Sequence, residues 1–146
     1  MADFQIDAVS DSPEETVNLG KRIASHLVSG SVVALQGNLG SGKTCLTKGI
    51  ALGLGITDNI TSPTYTIINE YLSTPCFYHI DAYRLNNEKE FEQTGGLEII
   101  NSDGICIIEW SERILKLLPE KTIFVSLEIT GSSSRLLRIK GIGSKL

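Results

Sequence analysis

The run Gly37-Asn38-Leu39-Gly40-Ser41-Gly42-Lys43-Thr44 follows the spacing glycine, four residues, Gly-Lys-Thr, the arrangement that cradles phosphate groups. Glycines allow successive backbone N–H groups to face phosphate oxygens without a Cβ in the way. Lys43, read as a solvent-facing charge in the loop, would serve the β- and γ-phosphates of ATP, and the Thr44 hydroxyl suits Mg²⁺. Phosphoryl transfer also needs a carboxylate for the metal and a group that orients the attacking water. Asp81 follows Phe77-Tyr78-His79-Ile80 and Glu109 follows Ile105-Cys106-Ile107-Ile108. Taken singly, an acid after a strand reads as a helix cap or a solvated loop residue. Beside a phosphate loop the pair reads as site carboxylates, and which of them holds the metal stays open.

Other candidates carry two readings each. Thr61-Ser62-Pro63-Thr64-Tyr65 is either a hydroxyl-rich switch contacting the metal or γ-phosphate, or an ordinary proline turn. His79 is in phase with Asp81 on an extended segment, so it is catalytic or, on the blander reading, packed and hydrogen-bonded. Arg84 pairs with phosphate or with solvent and a surface acid. Trp110 stacks on a base or partner, or is buried.

The elements that must position these residues follow from pattern. Phe4–Val9 reads as a first strand. Ser12-Pro13-Glu14-Glu15 is a capped helix start, and Val17, Ile23, Ala24, Leu27 and Val28 form one helical face that Gly30 ends. Ser31–Gln36 and Ile105–Ile108 are continuous apolar runs, as in strands buried on both faces. A helix is expected from Lys43 to about Leu54, and extended segments over Thr66–Tyr71 and Phe77–Ile80. Asn87–Gln93 reads as a helix broken by Gly95-Gly96, and Ser111–Leu118 as a short helix stopped by Pro119. Ile123–Ile129, Gly131-Ser132-Ser133 and Arg135–Lys140 read as a terminal hairpin. The expectation is an α/β fold of the three-layer P-loop NTPase type. It has a mostly parallel central sheet, helices on both faces and an antiparallel C-terminal hairpin. Residues 1–146 read as a single nucleotide-binding domain. In such sheets ligands bind at the carboxyl ends of the strands, where the glycine loop, Asp81 and Glu109 all fall.

Composition narrows the alternatives. Lys and Arg total 13 against 17 Asp and Glu, a formal charge of -4, which argues against a large nucleic-acid footprint of the chain's own. No apolar run approaches the roughly 20 residues of a membrane span, and no signal or transit pattern is visible at the N-terminus, so the expected location is cytoplasmic, with no membrane association. Cys45, Cys76 and Cys106 form no CxxC pair and read as reduced, small, buried apolar residues.

The order GNLGSGKT, SPTY, Asn69-Glu70-Tyr71, His79-Ile80-Asp81-Ala82-Tyr83-Arg84 and Ile108-Glu109-Trp110 resembles the bacterial TsaE (YjeE) family over nearly the whole chain. That family is the ATPase component of the machinery that makes threonylcarbamoyladenosine in tRNA. The resemblance implies a Mg²⁺-dependent ATPase, slow alone and stimulated by the TsaD and TsaB proteins on which it docks, meeting tRNA only through that complex. It implies that Gly37, Asn38, Leu39, Gly40, Ser41, Gly42, Lys43, Thr44 and Thr64 contact nucleotide and that Thr44 and Glu109 serve Mg²⁺. It further implies that Asp81, Glu109 and Lys43 act in catalysis and that Ser62 and Thr64 belong to a switch. Two departures from the family pattern stand out, Asn38 in place of Asp and Cys45 in place of a second Thr, and neither removes a phosphate or metal ligand.

Two other readings stand against it. A small-molecule kinase shares the loop and the size, but needs an acceptor pocket and an arginine-rich lid, and the arginines here are only Arg22, Arg84, Arg113, Arg135 and Arg138. A nucleotide-gated binding module would keep the loop without turnover. A GTPase is disfavoured because no NKxD segment occurs.

Overall fold

The structure, a computed structural model, describes residues 5–60, 68–83, 85–143 and 146. Strand β1 (Gln5–Ser10) leads into helix α1 (Pro13–Ala24). The cap forms as the sequence reading expects. Ser12 is extended and its hydroxyl accepts the Glu15 N–H at 3.1 Å, while the Glu15 carboxylate accepts the Asp11 N–H at 2.8 Å. The helix does not run to Gly30, however. It ends at Ala24, where the Ser25 hydroxyl donates to the Arg22 carbonyl at 2.7 Å and competes for the last helical acceptors. Gly30 is left-handed (φ 87) but closes the turn that follows, with its N–H on the Asp103 carbonyl at 3.0 Å. Val28, expected on the buried face, is therefore 70% exposed, because the helical period has already stopped.

The sheet comprises β1, β2 (Val32–Gln36), β3 (Ile68–Tyr71), β4 (Phe77–Asp81), β5 (Ile105–Glu109), β6 (Ile123–Ile129) and β7 (Arg135–Lys140). Their order is β1-β7-β6-β2-β5-β4-β3 among the described residues. The pairs β4–β5, β5–β2 and β2–β6 are parallel, and β1–β7, β7–β6 and β3–β4 antiparallel. The expected C-terminal hairpin is present. The sheet is mixed rather than mostly parallel, because short links such as residues 72–76 and 130–134 can join only antiparallel neighbours, and β1 returns beside β7.

Alternation along the central strands builds two cores. Val33, Leu35, Ile105 and Ile107 pack with Leu19 and Ile23 of α1 and with Leu46 and Ile50 of α2 (Lys43–Gly53). Val32, Cys106, Ile108 and Ile80 pack on the other face with Phe91 of α3 (Glu88–Gln93) and Ile100 of α4 (Gly96–Ile100). Helices thus cover both faces, as expected. Helices α1 and α2 approach closely through glycines. A Cβ on Gly20 would sit 2.5 Å from the Leu46 carbonyl oxygen, and one on Gly49 would overlap the Val17 carbonyl.

The helix expected over Asn87–Gln93 is present as α3, and the chain breaks at Gly95 (φ 84), from which the additional helix α4 starts. One local expectation fails. The segment 111–118 is two 3₁₀ turns, Ser111–Arg113 and Leu115–Leu117, instead of one helix. Ile114 separates them with φ -133 and drops its side chain into the second core. The second core takes nothing from β6 or β7, and Phe124, Ser126, Arg138 and Lys140 line an open concavity of about 330 Å³ with Gln5 and Gln36. No helix among the described residues is long and apolar enough to cross a membrane.

Candidate functional site

The loop from Gly37 to Gly42 joins β2 to α2, and each end is held by backbone geometry that other residues resist. Gly40 (φ 81) and Gly42 (φ 105) are left-handed, Gly42 serving as the cap residue from which α2 begins at Lys43. A Cβ on Gly37 would fall 2.8 Å from the Leu127 carbonyl oxygen, so the loop is pressed against β6 there. Nothing lies within 4 Å of the corresponding point on Gly40, so the loop is open at that position. The Ser41 hydroxyl is buried and has no hydrogen-bond partner among the described residues.

Lys43 is not solvent-facing, contrary to the sequence reading. Only 6% of it is exposed, because its ammonium donates to the Gly37 carbonyl and lies 3.7 Å from the centre of the Trp110 ring. A desolvated cation over an indole gains on the order of 2 kcal/mol, which explains why the side chain folds inward. Burial lowers the pKa of Lys43, opposed by the charges of Glu109, Glu112 and Asp81.

The carboxylates arrive at the same edge through strand register. Glu109, at the end of β5, stands opposite Leu35 of β2 on one side and Asp81 of β4 on the other. Its Oε2 lies 2.5 Å from Nε2 of His79, which is fully buried. His79 pairs with Ile107 and so reaches Glu109 diagonally across the two strands. His79 is thus packed and hydrogen-bonded, but to a candidate site carboxylate; its Nδ1 has no partner among the described residues. Asp81 is half-buried and accepts the Tyr83 N–H at 2.9 Å. Burial pushes its pKa up; the Tyr83 hydrogen bond opposes this and the neighbouring Glu109 charge adds to it.

Trp110 has φ 60, a left-handed conformation that costs energy in a residue with a bulky side chain. The turn lays its ring 4.9 Å from that of Tyr83, and Arg113 lies 5.4 Å from the Tyr83 ring on the way to donating to the Leu85 carbonyl at 2.9 Å. Lys43, Trp110, Tyr83 and Arg113 therefore form a column of cation, indole, phenol and cation. Ser111 closes the base of the site, its hydroxyl 3.3 Å from the Leu35 carbonyl. Arg135 reaches in from the start of β7 and donates to the carbonyls of Gly40 and Ser41 at 3.1 and 3.2 Å.

No group of three His, Cys, Asp or Glu residues among the described ones is arranged to hold a metal by itself. A hydroxyl at Thr44 with carboxylates at Glu109 and Asp81 is nonetheless a set of hard oxygen donors, which fits Mg²⁺ shared with phosphate. The charges of Glu109 and Asp81 act on Lys43, and the open loop lies at the same edge.

The profile of the family described as "Threonylcarbamoyl adenosine biosynthesis protein TsaE" matches residues 10–137. The chain belongs to the TsaE family. It is 43% identical to the "tRNA threonylcarbamoyladenosine biosynthesis protein TsaE" of Treponema pallidum over 131 residues, 90% of this chain and 97% of that one. The TsaE of Bacillus subtilis is 38% identical over 92% of this chain and 84% of its own length. A crystal structure of Bacillus subtilis YdiB superposes with a TM-score of 0.79 at 33% identity, covering 98% of this chain and 88% of that one. TsaE is a family of tRNA threonylcarbamoyladenosine biosynthesis.

The region matched to TsaE contains the loop, both carboxylates, Trp110 and also Arg135. Thr61-Ser62-Pro63-Thr64-Tyr65 and Arg84 lie outside the described residues. Sequence reasoning missed the Tyr83 contact and the grip of Arg135. The TyrArg pair after Asp81 hinted at the first, while nothing local signals the second. Of the three cysteines only Cys106 is buried, in the core strand β5, and burial pushes its thiol pKa up to about 12; Cys45, in the first turn of α2, and Cys76, in the link before β4, are partly exposed.

Proposed function

We propose that this protein binds ATP with Mg²⁺ on the Gly37–Thr44 loop and hydrolyses it in support of threonylcarbamoyladenosine formation in tRNA, acting on the TsaD and TsaB pair. The fold on this reading is that of a three-layer P-loop NTPase. The observation that carries the proposal is the convergence at one sheet edge of a glycine loop, Lys43 at the first turn of α2, and Asp81 and Glu109 in register on adjacent strands. Loop N–H groups and the N-terminal end of α2 hold the phosphates. Lys43 leaves the Gly37 carbonyl and the Trp110 face to meet the β- and γ-phosphates, an exchange that substitutes one set of electrostatic partners for another. Thr44 and Glu109 are the residues that would hold Mg²⁺, with Asp81 at the attacking water. The metal, when bound, neutralises charge on the phosphate oxygens. Because Glu109 and Asp81 act on charge that develops in the transition state, they contribute to turnover more than to ground-state binding.

The test uses the purified chain with Mg-ATP, alone and with TsaD and TsaB. Calorimetry should show ATP binding by the wild type and none by Lys43→Ala, and phosphate release should rise when the partners are added. Glu109→Ala should keep ATP affinity within about tenfold, roughly 1.4 kcal/mol, while its partner-stimulated hydrolysis falls much further. A wild type that binds no ATP, or a phosphorylated small molecule appearing in place of free phosphate, would overturn the proposal.

A further inference from the structure

We infer that Arg135 is a positioning residue of the phosphate loop, through which the C-terminal hairpin sets nucleotide affinity. The inference rests on the nucleotide reading above and deepens it. Its guanidinium makes four hydrogen bonds to backbone carbonyls. Nε donates to Ser41 at 3.2 Å and Nη2 to Gly40 at 3.1 Å, while Nη1 donates to Gly131 at 3.2 Å and to Ser134 at 2.9 Å. Two of these acceptors are in the glycine loop and two in the turn between β6 and β7, so a single side chain bolts the loop to the hairpin.

A loop that binds phosphate must aim its N–H groups at the ligand, and each peptide is planar, with N–H and C=O on opposite sides. Fixing a carbonyl therefore fixes the N–H of the next residue. The Gly40 carbonyl shares its peptide with the Ser41 N–H, and the Ser41 carbonyl with the Gly42 N–H. Gly40 and Gly42 are left-handed and lack side chains to restrain them; within the loop the Ser41 N–H is held by the Asn38 carbonyl at 3.0 Å, and Arg135 adds restraint from outside at the Gly40 and Ser41 carbonyls. A planar fork with five donors suits this task, and a lysine, with one ammonium, could not span both pairs of acceptors. Arg135 also has no carboxylate partner among the described residues. Its charge is therefore directed at backbone carbonyls, and at the two in the loop it polarises the peptides and adds to the positive potential an anion meets.

The experiment measures Mg-ATP affinity by calorimetry for full-length wild type, Arg135→Ala and Arg135→Lys. It adds nucleotide-free melting temperature and steady-state hydrolysis with TsaD and TsaB. Loss of two charge-assisted bonds to the loop should weaken binding by Arg135→Ala about tenfold or more, with Arg135→Lys between it and the wild type. KM for ATP should rise in parallel, while kcat at saturating ATP stays near wild type; the nucleotide-free melting temperature should fall, because the bonds to the hairpin turn are lost as well. Should Arg135→Ala not fold, the same split in Arg135→Lys decides the matter. Binding within about twofold of wild type by the folded variants would overturn the inference. So would a fall in kcat matching the loss of affinity at a temperature where the variants are fully folded, the pattern of a merely structural tie. A wild type that binds no nucleotide overturns the functional reading and this inference together, and is recognised because all three proteins then fail alike.

Discussion

His79 and Glu109 are joined across neighbouring strands by a 2.5 Å contact between Nε2 and Oε2, and both side chains are closed off from solvent. The contact does two things for the site. It satisfies a carboxylate that burial would otherwise penalise, and it fixes one oxygen of Glu109, so that the carboxylate has a defined orientation toward the sheet edge.

Breaking this pair from one side leaves a buried group without its partner. His79→Phe, which fills the space, should destabilise the protein by about 3 kcal/mol, because an uncompensated buried carboxylate is costly. Pairing it with Glu109→Leu should cost less than the sum of the single changes, by about 1 kcal/mol or more. Urea unfolding of the four proteins measures this. Strict additivity would show that the contact is incidental to stability.

Trp110 is the only tryptophan in the chain, and the Lys43 ammonium sits on its face. If phosphates draw the lysine away, the indole loses a cation within 3.7 Å and its emission must change. Titration with ADP or ATP should therefore shift Trp110 fluorescence in the wild type. Lys43→Ala should begin from an altered spectrum and show no nucleotide response. An unchanged wild-type spectrum at saturating ATP, with binding proven by calorimetry, would mean that Lys43 stays on the indole when nucleotide binds.

Which parts of this site could be read from sequence depends on how far apart their partners are along the chain. The glycine loop is a contiguous motif. Val32–Leu35 and Ile105–Ile108 announce themselves as strands because burial on both faces leaves no polar alternation. Asp81 and Glu109 then follow, since strand ends are locally encoded. The end of α1 is not legible, because Leu27 continues the apolar spacing past the point where Ser25 stops the helix. The inward fold of Lys43 depends on Trp110, and the grip on the loop depends on Arg135, 94 positions from Ser41. Contacts of that range arise from sheet topology, and no local spacing reports them.

The contact between α1 and α2 is held close by glycine, and this has a cost for any substitution there. A methyl group on Gly49 would overlap the Val17 carbonyl, which belongs to a helix backbone and cannot swing aside. Gly49→Ala should therefore destabilise the protein by about 1–3 kcal/mol, although alanine is the better helix former by about 1 kcal/mol. A helix in open solvent would gain from this change, so an increase in urea midpoint would show that the two helices are not in close contact.

Asp81 offers a test in which stability and turnover move in opposite directions. Burial first, and then the Glu109 charge, raise its pKa above the ordinary 3.8, against the Tyr83 hydrogen bond and the attraction of His79 and Lys43. For a carboxyl with a raised folded pKa, the folded and unfolded chains are both protonated below the ordinary value, and the group then contributes nothing to stability. Between the two pKa values the folded chain keeps a proton that the unfolded chain has lost, so stability falls as pH rises through that window. Above the folded pKa the full cost of the buried charge is present. Asp81→Asn removes the charge while its side-chain oxygen can still accept the Tyr83 N–H. Nucleotide-free protein in EDTA should therefore melt at a higher temperature than wild type at pH 7, and the gap should close as pH approaches 3.8. The same variant should lose partner-stimulated hydrolysis while keeping ATP affinity within about tenfold. Wild-type hydrolysis by Asp81→Asn would remove the residue from the catalytic reading. A variant less stable than wild type at pH 7 would show that the charge is held favourably after all, by Lys43 and His79 outweighing its burial.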